Sequence, residues 1–163
     1  MLHNKLKKEM KHLITSIAIV LISLVGYSQK QLMLENQSKK SFDETVEWLE
    51  KTAAENKWKV IAIHDLQNSL EKNGYEVLPV KVLAICQPQH AIKVLGKDDE
   101  RIVSSMMPCR ISVYEKSDGK TYISRMNTSI MAAGFDGAIK DVMVSTSEEI
   151  EKMILPILDK KTP

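Results

Sequence analysis

A two-layer α+β domain, its mixed or antiparallel sheet covered by helices, is the fold class this sequence predicts, and three observations carry the prediction. Two short β-branched runs, residues 58–64 and Val80–Cys86, are each followed by a helix signal. Two alternating segments, residues 110–115 and 120–126, flank Lys116-Ser117-Asp118-Gly119, whose Asp-Gly pair marks a hairpin. Amphipathic helical patterns stand before and after these strands. The hairpin is what argues against a doubly wound parallel sheet.

At the N-terminus, Lys5, Lys7, Lys8 and Lys11 precede residues 13–25, a run of 13 apolar and hydroxyl side chains, and Gly26-Tyr27-Ser28 closes it with small residues. A membrane-spanning helix needs about 20 residues. Residues 1–28 therefore read as a cleaved signal peptide. The mature chain then begins at Gln29 and is soluble in the periplasm or outside the cell, with no membrane anchor. Residues 29–40 are polar and read as a flexible arm or an edge strand.

Residues 41–160 form a single domain, a length that suits one hydrophobic core. Ser41-Phe42-Asp43-Glu44 is a capping box, and Phe42, Val46, Leu49 and Ala53 make the apolar stripe of the helix it opens, which ends near Asn56. After the strand at 58–64, Asp65 is placed to cap a short helix over 66–73, with Gly74 as its stop. Val80–Cys86 is nearly continuous in apolar residues and belongs inside the sheet. Pro88 opens another short helix that Gly96 ends. A short helix is expected over 137–144. A separate terminal helix is expected to open at Thr146-Ser147-Glu148-Glu149, with Ile150, Met153, Ile154, Ile157 and Leu158 facing the core.

Charge narrows the function. The chain carries 23 basic and 21 acidic side chains, net +2. Loss of residues 1–28 removes four lysines and Glu9 and leaves 19 against 20, net −1. The basic excess belongs to the leader and is no nucleic-acid footprint. Aromatic residues make up only 5% of the chain, too few for a base-stacking platform. The core must be aliphatic, with methionine filling its gaps. No nucleophile elbow, phosphate-binding glycine loop, His-Glu-x-x-His or dinucleotide fingerprint occurs, so no catalytic residues are assigned and the balance leans away from an enzyme.

Cys86 and Cys109 are the only cysteines. An exported chain favours a disulfide between them, and free cysteine is also a common buried apolar side chain. Two thiols near methionines equally suit a soft metal such as Cu(I), or a redox pair, although Cys-x-x-Cys is absent. His90 follows Cys86 by four residues, and Met107 stands beside Pro108-Cys109. Cys86, Cys109, His90 and Met107 are thus the candidate ligands for a metal or a small molecule. His64 is an outside candidate, although Asp65 after it is better read as a helix cap. The competing class is a structural or protein-interaction module with an inert disulfide. The disulfide and the metal site share one geometric requirement: the end of the Val80–Cys86 strand must lie beside the start of the 110–115 strand.

The segments Phe42-Asp43-Glu44-Thr45-Val46, Ile63-His64-Asp65, Ile85-Cys86-Gln87-Pro88-Gln89-His90-Ala91, Met106-Met107-Pro108-Cys109-Arg110-Ile111-Ser112-Val113-Tyr114-Glu115 and Asp118-Gly119-Lys120, in that order, resemble family 302 of the domains of unknown function. The similarity spans roughly residues 33–158 and, with the leader, points to an exported subgroup. Gln87 departs from the asparagine frequent there. The resemblance implies a compact α+β fold that pairs into homodimers. It implies no agreed activity and no catalytic residue to carry over.

Overall fold

The structure, a computed structural model, describes residues 32–159. The expected signal peptide, its cleavage site and the mature N-terminus lie outside them. Alternation along the chain builds the sheet. In Cys109–Glu115, Ile111 and Val113 are sealed from solvent while Arg110 between Cys109 and Ile111 is exposed, the period-two pattern of a strand with one face on a core. Five strands form: β1 (Met33–Gln37), β2 (Lys59–Asp65), β3 (Val80–Cys86), β4 (Cys109–Glu115) and β5 (Thr121–Met126). Their spatial order is β1-β5-β4-β3-β2, and every neighbouring pair is antiparallel. The expected mixed-or-antiparallel sheet is wholly antiparallel. β3 is interior, as its apolar run requires, and β4 is the middle strand.

Polar β1 becomes a strand through its partners. Its register runs from Met33 opposite Met126 to Gln37 opposite Tyr122. Arg125 Nη1 donates to Asn36 Oδ1 at 2.6 Å, and Lys116 Nζ donates to Glu35 Oε2 at 2.7 Å. Tyr114 OH also donates to Glu35. On the opposite edge, β2 carries a bulge between Val60 and Ala62, and Ile61 there is left exposed.

Helices α1 (Phe42–Glu55) and α5 (Gly137–Ile154) cover one face, joined by the short α2 (Leu66–Glu71), α3 (Pro88–Leu95) and α4 (Thr128–Met131). The predicted caps at Ser41–Glu44 and Asp65 form. Glu44 accepts from the Ser41 N–H at 3.0 Å, and Asp65 accepts from the Asn68 N–H at 2.9 Å. The two helices expected over 137–144 and from Thr146 are one. Thr146 does not cap; its hydroxyl donates back to the Met143 carbonyl at 3.1 Å inside an unbroken helix. The apolar face continues through Val142, Met143 and Ile150, so nothing ends the helix at 145. Three further elements carried no prediction: 3₁₀ stretches at Asp99–Met106 and Ala132–Gly134, and α4.

The hairpin also differs in detail from its Asp-Gly signal. Gly119 N–H donates to the Lys116 carbonyl at 2.9 Å and Lys116 N–H to the Lys120 carbonyl at 3.1 Å. Gly119 alone in this turn has positive φ, at 72°. That is a three-residue loop closed by a left-handed glycine, not the two-residue turn in which both central residues are left-handed.

The main core joins sheet residues Leu83, Ile85, Ile111, Val113 and Ile123 to Phe42, Val46 and Leu49 of α1 and Ile150, Met153 and Ile154 of α5. Each such side chain, fully buried, stabilises the fold by about 1.5–3 kcal/mol before entropy is counted. A smaller cluster of Val94, Val103 and Val142, with Met106, Phe135 and Ile139 against it, sits under α3, the 3₁₀ stretch and α5.

Candidate functional site

Where the two clusters approach, the packing leaves a cleft. Ile85 and Ile150 of the main core and Val94, Val103 and Val142 of the smaller one all contribute walls. Its interior offers about 80 Å³ that the centre of a water molecule can reach. One water requires roughly 10–15 Å³ on that measure, so there is room for a small organic molecule. Thioethers of Met106, Met107 and Met143 line it beside these aliphatics.

All four candidate ligands border this cleft: Cys86, His90, Met107 and Cys109. β3 runs antiparallel beside β4, and Cys109 lies opposite Ile85, so the end of one strand does meet the start of the other. The cysteines are offset by one position, however, because the β3–β4 pairing ends at Ile85 opposite Cys109 and Cys86 is the next residue. Successive side chains of a strand point to opposite faces, and both cysteines are free thiols. Burial raises the Cys86 thiol above its ordinary range. It pushes Cys109 up to about 11, with the charge of Cys86 adding to the effect. Both thiols therefore hold their protons near neutral pH, which does not suit a reactive thiolate.

Among the described residues no group of three or more His, Cys, Asp or Glu side chains is placed to hold a metal ion. His64 is exposed on β2 and borders no part of the cleft. His90 is turned inward, its side chain only 12% exposed, and its Nε2 lies 2.8 Å from Glu149 Oε1. The other Glu149 oxygen accepts from Trp58 Nε1 at 2.8 Å. A carboxylate can only accept, so the network assigns the ring proton of neutral His90 to Nε2. Nδ1 is then an acceptor, buried and without a hydrogen-bond partner. Neither thiol bonds to it, so the Cys–His pair that an activated thiol nucleophile requires is not formed.

Local structure explains these placements. Pro88 starts α3, and the Gln87 side chain caps it by accepting from the Gln89 N–H at 3.0 Å, which sets His90 on the first turn. Glu149 lies on α5 next to core residue Ile150, and Trp58 enters β2 almost wholly buried. Glu149 and Trp58 are the site residues the sequence did not single out. Glu149 reads as part of a helix start, and 59 residues separate it from His90 with no spacing signal between them. Arg125, buried beside the cleft, is engaged by both Glu151 oxygens at 2.7 and 2.6 Å.

Residues 34–157 match the family described as Domain of unknown function DUF302. A crystal structure of an uncharacterized conserved protein DUF302 from Bacillus stearothermophilus is similar in fold, with a TM-score of 0.69 at 21% sequence identity. The match covers 77% of this chain and 98% of that one. No curated protein matches the sequence.

Proposed function

This chain belongs to the DUF302 family, and we propose that it is a small-ligand-binding protein whose site is the cleft beside Cys86, His90, Met107 and Cys109. One observation carries the reading: a largely apolar cavity lined by a histidine that has a buried ring nitrogen with no partner. Ligand sites are typically concave and apolar with a few placed polar groups. The raised thiols and the missing Cys–His pair weigh against thiol catalysis. The protein is exported through residues 1–28, acts in the periplasm or outside the cell, and works as a homodimer. Exposed Ile61 and Ile63 on edge strand β2 and Tyr75, Val77 and Leu78 after α2 support the dimer.

Native mass spectrometry of the protein as purified, beside a Val142→Trp variant that fills the cavity, tests the reading. A small molecule carried by the native protein and absent from the variant is the expected result. Toluene titrated by calorimetry should likewise bind the native protein and not the variant. Toluene binding both equally, or neither, would sink the reading.

A soft metal is the second reading, favoured by two thiols and four thioethers bordering one cavity. Cu(I) titration against a chromophoric chelator decides it. Uptake of one equivalent, lost in Cys86→Ala and Cys109→Ala, would support it.

A further inference from the structure

Ligand class follows from the one buried, unanswered side-chain nitrogen on a residue that lines this cleft. Glu149 accepts from Trp58 Nε1 and His90 Nε2, both at 2.8 Å, and thereby holds the imidazole in one orientation and one tautomer. His90 Nδ1 is shut off from bulk water, and no described residue bonds to it. A buried acceptor in that state is destabilising until a donor reaches it. Of the other wall side chains that carry nitrogen or oxygen, Gln87, Trp58, Thr128, Thr146 and Arg125 have partners, and Arg110 is exposed to water. Thr128 and Thr146 both donate to the Met143 carbonyl, at 3.0 and 3.1 Å, and Arg125 is engaged by Glu151 and Asn36.

Resting on the ligand-cleft reading above, we infer that the Glu149–His90 pair recognises a small, neutral aromatic molecule of the phenol class, which donates one hydroxyl or ring N–H hydrogen to His90 Nδ1. Size supports a single ring. At roughly 10–15 Å³ per water-sized unit, the 80 Å³ of the cleft takes about five to eight such units. Aromaticity follows from the lining, because Met106, Met107 and Met143 offer the sulfur contacts that ring edges favour. Neutrality follows from the charges nearby: Glu149 stands directly behind the imidazole, and Arg110 at the wall is exposed and screened by water, so a charged ligand would lack a buried counter-charge, which is costly. The donor requirement follows from the tautomer, since Nδ1 offers only a lone pair.

Isothermal titration calorimetry with phenol and toluene, probes of nearly equal shape, tests the inference through the ratio of their affinities. Using the ratio cancels their different hydrophobicities. In His90→Phe the phenol-to-toluene ratio should fall about tenfold, while toluene affinity stays within about threefold of the native value. Glu149→Gln keeps the ring and carries the test if the first variant does not fold. Its amide oxygen still accepts from Trp58, its NH₂ then donates to His90 Nε2, and the ring proton moves to Nδ1. The ratio should fall there too. A ratio unchanged in both variants, with toluene still bound, overturns the inference and leaves the cleft reading standing. Failure of both probes to bind the native protein overturns the cleft reading and this inference with it.

Discussion

Cys109 shows how position sets the chemistry of a side chain. It stands at the first residue of β4, packed against the main core, and burial pushes its thiol up to about 11, with Cys86 adding. The unfolded chain would lose that proton near pH 8.5–9. The native state thus binds more protons than the unfolded state between about pH 9 and 11, and stability falls as pH rises through that window. The contribution is fully present below pH 9 and amounts to about 2–3 kcal/mol. Urea unfolding at pH 8.5 and 10.5 should show a larger loss in the native protein than in Cys109→Ala. Equal losses in the two would refute the burial argument.

At the scale of elements, two glycine and helix details yield sharp expectations. Gly119 closes the β4–β5 loop at φ 72° with open space where a Cβ would sit. Gly119→Ala should therefore cost about 1–2 kcal/mol from backbone conformation alone, read as a lower urea midpoint with an unchanged slope. For α5, the decisive position is Ser147. If Thr146 capped a separate helix, Ser147 would be its first residue and would accept proline. In the continuous Gly137–Ile154 helix, proline at 147 removes a backbone donor and crowds the 143 carbonyl. Ser147→Pro should cost about 3 kcal/mol or more. Near-native stability of that variant would contradict the single helix.

For the whole molecule, the sheet has one face covered by α1 and α5, and apolar side chains are exposed on edge strand β2, where Ile61 is 60% exposed, and after α2, where Tyr75 is 64% exposed. Among the described residues no helix is long and apolar enough to cross a membrane. Size-exclusion chromatography with light scattering should give twice the chain mass at micromolar concentration. An Ile61→Lys, Leu78→Lys double variant should shift the protein to monomer, since charge on an edge strand opposes pairing. A monomeric native protein would remove the dimer from the proposal and leave the fold unchanged.

Local chemistry made most of the fold legible in the sequence. The Ser41–Glu44 box, the Asp65 cap, the Pro88 start and the β-branched runs each act within a few residues, so their spacing alone located α1, α2, α3, β2 and β3. β1 was ambiguous because a polar edge strand is defined by its partners Arg125, Lys116 and Tyr114, distant in sequence. The unity of α5 depended on Val142 and Ile150 sharing one buried face, which outweighed the capping residues between them. At the site, residue types and strand ends brought Cys86, His90, Met107 and Cys109 together in advance. What they can do was decided in three dimensions, because a one-position offset in register separates the cysteines and a carboxylate from α5 sets the tautomer of His90. Sequence specifies short-range hydrogen bonds and hydrophobic period; proton positions and strand register depend on packing between distant segments, and only the tertiary structure determines that.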